Sequence, residues 1–335
     1  MSEAVKEEPR VLPYVMAINE GVREVLKEQD NSFVAGEDVA GAGGVYGYYT
    51  GLLDEFGSER VYDTPISEKG IMGLGVGASA TGCRPIIDLM FMDFIGECMD
   101  EIANQMAKMR FMFGGGAKLP VTVLTMAGAG QNLAAQHSQS LEAWLAHLPG
   151  IKVCCPSDAY DAKGMTIAAA RDDNPVFVVF NKASLAMSME VPEGAYEVPL
   201  GKALVRRQGK DLTIVAISRM VHEAISAADK LAELGLDVEV IDARSISPFD
   251  TETVVNSIKK THRALIVHEA VKFGGFGGEI TAQIQEEAFD YLDAPIARVA
   301  APFSPVPFSP ALENAYVPNA ERIAEGVRGV LHRSS

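Results

Sequence analysis

Three places in this sequence carry side chains whose type and setting could do chemistry. Glu68 stands between an apolar run over 61–67 and a segment rich in small residues over 68–82. Buried there, a carboxylate would suit proton exchange with a bound molecule; exposed, it would be a first-turn acid favoured by the helix dipole. His137 lies in Gln136-His137-Ser138-Gln139, just after the glycine-interrupted stretch 128–130. That composition predicts a loop at a sheet end, where function often sits, although local hydrogen bonds could equally satisfy the imidazole. Gly274-Gly275-Phe276-Gly277-Gly278 follows a strand-like run and precedes a helical one. It is placed as an anion-binding turn would be, or as a flexible connection.

Other motifs fail. The sequence has no P-loop, HExxH, EF-hand loop or GxSxG elbow, so self-contained ATPase, metalloprotease and serine hydrolase readings lose their support. Gly73, Gly75 and Ala78 formally spell GxGxxA, but inside a helix rather than at its start. Gly70, Gly73 and Gly77 read better as small residues that let another helix approach closely. His147, His222, His262, His268 and His332 have no partner at a catalytic or metal spacing.

Apolar runs and helical periods alternate around these residues. A helix is expected over 13–30, followed by strands at 33–39 and 61–67, a helix at 68–82, a strand at 85–91 and a long helix over 93–112. Short apolar runs at 121–126, 152–156 and 176–180 have the character of strands buried on both faces of a parallel sheet. Periodicity fails over 186–199, which contains Pro192, Gly194 and Pro199 and is expected to link two domains. Strands at 212–217, 238–241 and 264–267 then alternate with helices at 222–234 and 251–260, and a helix over 320–331 closes the chain. The fold class expected is α/β, with two doubly wound domains, 13–185 and 200–335.

The charge balance narrows the partners. Among 335 residues, 45 acidic side chains outweigh 29 basic ones, for a formal charge of −16, which excludes nucleic acid as an obvious partner. A hydrophobic share of 48% and a charged share of 22% are those of a globular protein with a large core. The longest uncharged stretch, 119–141, contains Gln131, Asn132, Gln136, His137 and Gln139, so no membrane span is expected. Residues 1–12 have the composition of a disordered acidic tail without the marks of a targeting signal, which points to a cytoplasmic protein. Cys83, Cys98, Cys154 and Cys155 show no metal spacing and are expected to be reduced core thiols.

Several ordered motifs together resemble the beta subunits of thiamine-diphosphate-dependent 2-oxo acid dehydrogenases of the pyruvate, branched-chain and acetoin type. They are Gly36-Glu37-Asp38-Val39, Asp63-Thr64-Pro65-Ile66-Ser67-Glu68, Ala134-Ala135-Gln136-His137-Ser138-Gln139, Asp161-Ala162-Lys163-Gly164, Arg171-Asp172-Asp173-Asn174-Pro175 and Gly274-Gly275-Phe276-Gly277. The resemblance spans nearly the whole chain and implies a pyrimidine-binding N-terminal domain followed by a transketolase C-terminal-like domain. It makes Glu68 the residue that hydrogen-bonds N1′ of the cofactor's aminopyrimidine, controlling its proton. It also places Ile66, Met90 and Phe94 on the pyrimidine pocket wall and His137 at the site mouth, handling a proton during acyl transfer to a lipoyl group. Val121, Ala169, Ala170, Asp172 and Asn174 fall where some relatives bind a structural potassium ion.

The Gly-Asp-Gly motif with a downstream Asn, which holds magnesium and the diphosphate in such enzymes, is absent. The resemblance assigns that half to an alpha subunit, in a tetramer of two alpha and two beta chains, and gives the C-terminal domain a lipoyl acyltransferase core to dock. Met112-Phe113-Gly114-Gly115, Thr125-Met126 and Pro305-Val306-Pro307-Phe308-Ser309 look most like acetoin dehydrogenase chains, and pyruvate-type chains share much of this. Asn181-Lys182-Ala183-Ser184-Leu185 departs from the family, where an acidic residue and a Leu-Tyr pair are common. Two other readings are weighed: the C-terminal part of a split transketolase or deoxyxylulose-phosphate synthase, and a non-catalytic scaffold subunit.

Overall fold

The computed structural model describes residues 9–332. Two sheets organise the chain. The first has seven strands in the order Ser245–Ser247, Lys152–Cys154, Val176–Asn181, Thr122–Ala127, Arg84–Phe91, Ser32–Gly36 and Val61–Asp63. All its pairs are parallel except the edge strand Ser245–Ser247, which runs antiparallel to Lys152–Cys154. Thr122–Ala127 and Val176–Asn181 are buried along their whole length, as strands covered on both faces must be. The second sheet orders Ala297–Ala301, Ala264–Val271, Leu212–Ala216, Val238–Asp242 and Leu204–Arg207, with only the last strand antiparallel. The architecture is α/β throughout.

The two halves interlock. Ser245–Ser247 comes from the second half of the sequence yet closes the edge of the first sheet. Beneath that crossing, the fully buried Asp161 takes Arg244 Nε at 2.8 Å and Nη2 at 2.6 Å, and Arg206 reaches Asp158, Asp161 and Asp242 together. Charges this deep require such pairing, because an unpartnered one would cost several kcal/mol. Cys98, Cys154 and Cys155 are buried free thiols, and Cys83 is partly buried.

Three expectations change. Of the expected tail 1–12, residues 1–8 lie outside the described residues, whereas Val11–Pro13 forms a strand antiparallel to Ser188–Glu190. Part of the stretch read as a linker is thus paired to the start of the chain. The long helix expected over 93–112 is broken into a 3₁₀ turn at Met92–Gly96, a π-type turn at Glu101–Met106 and a short α-helix at Met109–Met112. Asp93, within the 3₁₀ turn, accepts from both the backbone N–H and the Nε2 of Gln139 at 3.0 Å. Finally, the close helix approach expected at Gly70, Gly73 and Gly77 is met in part among the described residues: a Cβ on Gly73 would lie 3.9 Å from Glu101 Cγ in the Glu101–Met106 turn, whereas one on Gly77 would meet nothing within 4 Å. Gly75 is the close approach, since a Cβ there would lie 2.8 Å from Ile87 Cγ1.

Candidate active-site face

Glu68 opens the helix Glu68–Ala80, whose Ser67 cap accepts from the Gly70 N–H. The carboxylate is half-buried rather than enclosed and has no hydrogen-bond partner among the described residues. Two neighbours feel its charge: Glu37, at the end of the strand Ser32–Gly36, and Cys98. Burial first, then Glu68 and Asp38, push the Glu37 carboxyl above the usual carboxylate range. Burial, reinforced by Glu68 and Glu101, raises the Cys98 thiol to about 12. Cys98 Sγ in turn lies 3.8 Å from the Phe94 carbonyl oxygen. Glu68 and the segment carrying Phe94 therefore share one neighbourhood.

The apolar members differ in exposure. Ile66, two residues before Glu68, is 82% exposed, while Met90 and Phe94 are half-buried. His137 is half-buried and boxed by aromatic edges, its ring centroid 5.0 Å from Phe91 and 5.5 Å from Phe94, both nearly perpendicular. The structure thus joins His137 to Phe94 directly. An acid without a hydrogen-bond partner among the described residues, in the neighbourhood of an aromatic cluster, suits a flat heteroaromatic ring with one basic nitrogen.

Sequence reasoning missed the support under this face. Asp88, in the strand Arg84–Phe91, is buried and accepts from Tyr48 Oη at 2.5 Å and Tyr49 Oη at 3.0 Å. Burial raises its carboxyl to about 7 against the pull of the two phenols. A Cβ on Gly36 would lie 2.6 Å from Asp88 Cβ, so this crossing requires glycine. Lys182 was also missed as a contact of His137; the departure of 181–185 from the family pattern was its only signal.

The residues read as potassium ligands lie together but are already engaged. Arg84 donates to the carbonyls of Ala170 at 2.9 Å and Asp172 at 2.7 Å and pairs with Asp173 at 3.2 Å. Lys152 pairs with the Asp172 carboxylate, and Arg110 donates to Asn174 Oδ1 at 2.6 Å. The carbonyls of Val121 and Ala169 accept the N–H groups of Val176 and Asp172. Three cationic side chains crowd this turn, so its donor set does not fit a further cation. Among the described residues, no group of three or more His, Cys, Asp or Glu could hold a metal ion.

The glycine run leads from the strand Ala264–Val271 into the helix Gly277–Ala288. The buried His268 ring lies under it: a Cβ on Gly277 would sit 2.6 Å from its Nε2, and one on Gly275 2.7 Å from its Cε1. Close packing explains these two glycines. No helix among the described residues is long and apolar enough to cross a membrane.

Comparison with known proteins identifies the two domains and the family. Residues 11–187 match the family model of the transketolase pyrimidine binding domain, and 201–323 that of the transketolase C-terminal domain. The chain is 47% identical to the beta subunit of acetoin:2,6-dichlorophenolindophenol oxidoreductase of Bacillus subtilis, over 94% of this chain and 95% of that protein. It is 44% identical to the pyruvate dehydrogenase E1 component subunit beta of the same organism, over 95% of this chain and 98% of that one. In fold it is similar to a split-gene transketolase described as an inactive beta4 tetramer, with a TM-score of 0.80 and 24% identity, covering 97% of this chain and 99% of that one. The chain therefore belongs to the transketolase-like family of acetoin and pyruvate dehydrogenase beta subunits.

Proposed function

We propose that this chain is the beta half of a thiamine-diphosphate-dependent dehydrogenase that cleaves acetoin or a pyruvate-type 2-oxo acid and passes the acyl unit to a lipoyl group. The observation that carries the reading is the half-buried Glu68, without a hydrogen-bond partner among the described residues, whose charge reaches Cys98, next to the segment that sets Phe94 against His137, in a chain of this family. When bound, the cofactor supplies the electron sink that a side chain cannot. The protein's part is binding and proton control. Glu68 would take a hydrogen bond at N1′ of the aminopyrimidine, while Ile66, Met90 and Phe94 would cover its face and exclude water. His137, at the rim of that wall, would handle a proton as the acyl group leaves.

This chain carries no magnesium or diphosphate motif. An alpha subunit is proposed to supply both, in a tetramer of two alpha and two beta chains, with a lipoyl acyltransferase core as the next partner. We place no potassium ion at Asp172. Acetoin is preferred over pyruvate as substrate on the higher identity to the acetoin enzyme. Glu68→Gln in the assembled complex tests the reading. Losing the acid is expected to lower turnover by a factor of about 10² to 10⁴, with the complex still assembled. Unchanged turnover would remove Glu68 from the chemistry.

A further inference from the structure

We infer that Lys182 is a positioning residue, holding the His137 loop and ring in place for acyl transfer; this rests on the role proposed for His137. Lys182 follows the strand Val176–Asn181 in a short 3₁₀ turn and is only 1% exposed. Its Nζ donates to the His137 carbonyl oxygen at 2.6 Å and lies 5.4 Å from the centre of the Phe91 ring. The Phe91 and His137 rings stand perpendicular, their centroids 5.0 Å apart. One ammonium therefore grips the histidine twice, through its backbone and through the aromatic ring that orients its imidazole.

The surroundings show why the grip is needed. The loop returns on itself through the Gly128 N–H, which donates to the Gln139 carbonyl at 3.1 Å. Asn132 and Ala134 hold positive φ of 56° and 59°, backbone strain that a free loop would relieve. Its ends are tied down: Asn132 N–H to Glu313 at 3.0 Å, Gln131 Nε2 to the Lys182 carbonyl at 2.9 Å, and Gln139 to Asp93 at 3.0 Å. His137 lies between these ties, and among the described residues the Lys182 bond is the one that reaches it. The buried ammonium itself faces Asp93, Glu269 and Glu313, whose charges offset part of its desolvation.

Two half-reactions separate positioning from general damage. The assembled complex is assayed for substrate-dependent reduction of dichlorophenolindophenol, which needs no lipoyl group, and for acetylation of an isolated lipoyl domain. Lys182→Met keeps the apolar stem and removes both grips; Lys182→Gln keeps a shorter donor. Loss of a charge-assisted hydrogen bond is expected to slow lipoyl acetylation by roughly tenfold in the Met variant, with a smaller loss in the Gln variant and dye reduction within about twofold of wild type. Lipoyl acetylation unchanged in both variants overturns the inference. So does an equal fall in both reactions, the mark of a merely structural lysine; the Gln variant decides if the Met variant does not fold. His137→Ala is run in parallel. If it leaves lipoyl acetylation intact, the role proposed for His137 fails; if it slows acetylation while Lys182→Met does not, only the positioning role fails.

Discussion

Asp88 offers a sharp test of the electrostatics under the candidate site. It is buried, its carboxylate accepts two tyrosine hydroxyls, and burial nevertheless raises its carboxyl from 3.8 to about 7. A carboxyl raised above its unfolded value stabilises the fold fully below pH 3.8, and that contribution is lost as pH climbs through about 7. A shift of about three pH units, at about 1.4 kcal/mol per unit, corresponds to about 4 kcal/mol across this window. Asp88→Asn keeps an oxygen to accept from both phenols but cannot ionise. The difference in unfolding free energy, variant minus wild type, should therefore rise by a few kcal/mol between pH 4 and pH 8. Guanidinium titrations of the two proteins at stepped pH measure it. Glu142, also buried and raised to about 7, titrates in both proteins and drops out of the difference. A flat difference, or one that falls with pH, would refute the argument by showing that the two phenols outweigh desolvation.

Two further outcomes follow from named contacts. Arg244→Met removes two hydrogen bonds from the fully buried Asp161 and leaves it to Arg206 alone; a loss of about 3–5 kcal/mol is expected, read as a lowered melting temperature. Exchanging potassium for tetramethylammonium at equal ionic strength should leave the melting temperature unchanged, because Arg84, Arg110 and Lys152 already hold the oxygens of the Asp172 turn. A rise specific to potassium would show that an ion enters beside them.

The strands were legible because their physics is local to the sequence. Thr122–Ala127 and Val176–Asn181 are covered on both faces, and each reads as a short unbroken apolar run. The helix Tyr14–Glu28 was equally visible, since its buried Ile18, Val22 and Val25 recur at a helical spacing. What escaped depends on distant partners. Nothing in residues 93–112 announces that the segment will open as a 3₁₀ turn whose Asp93 accepts from Gln139. Val11–Pro13 finds Ser188–Glu190 only once the chain has folded back. The antiparallel edge strand Ser245–Ser247 is three residues long and carries no period. Asp88 sits in an apolar run, where an acid reads as an interruption until Tyr48 and Tyr49 arrive from another loop. Lys182 was noticed as a departure from the family, but its purpose needs the coordinates of His137 and Phe91.

Glu68 shows where sequence and structure meet. The sequence placed it at a strand-to-helix junction with two readings, a buried proton exchanger or an exposed first-turn acid. The structure has features of both: a helix-opening residue, half-buried, without a hydrogen-bond partner among the described residues. Ile66, two residues before it, stands 82% in water, forgoing about 1.5–3 kcal/mol available from covering an isoleucine. An acid without a hydrogen-bond partner among the described residues and an uncovered apolar side chain two residues before it are the marks of a site completed by a second chain. The missing diphosphate motif gives the same answer from chemistry. The proposed alpha subunit would complete the cofactor site and cover Ile66, so cofactor binding and assembly should draw on the same contact surface.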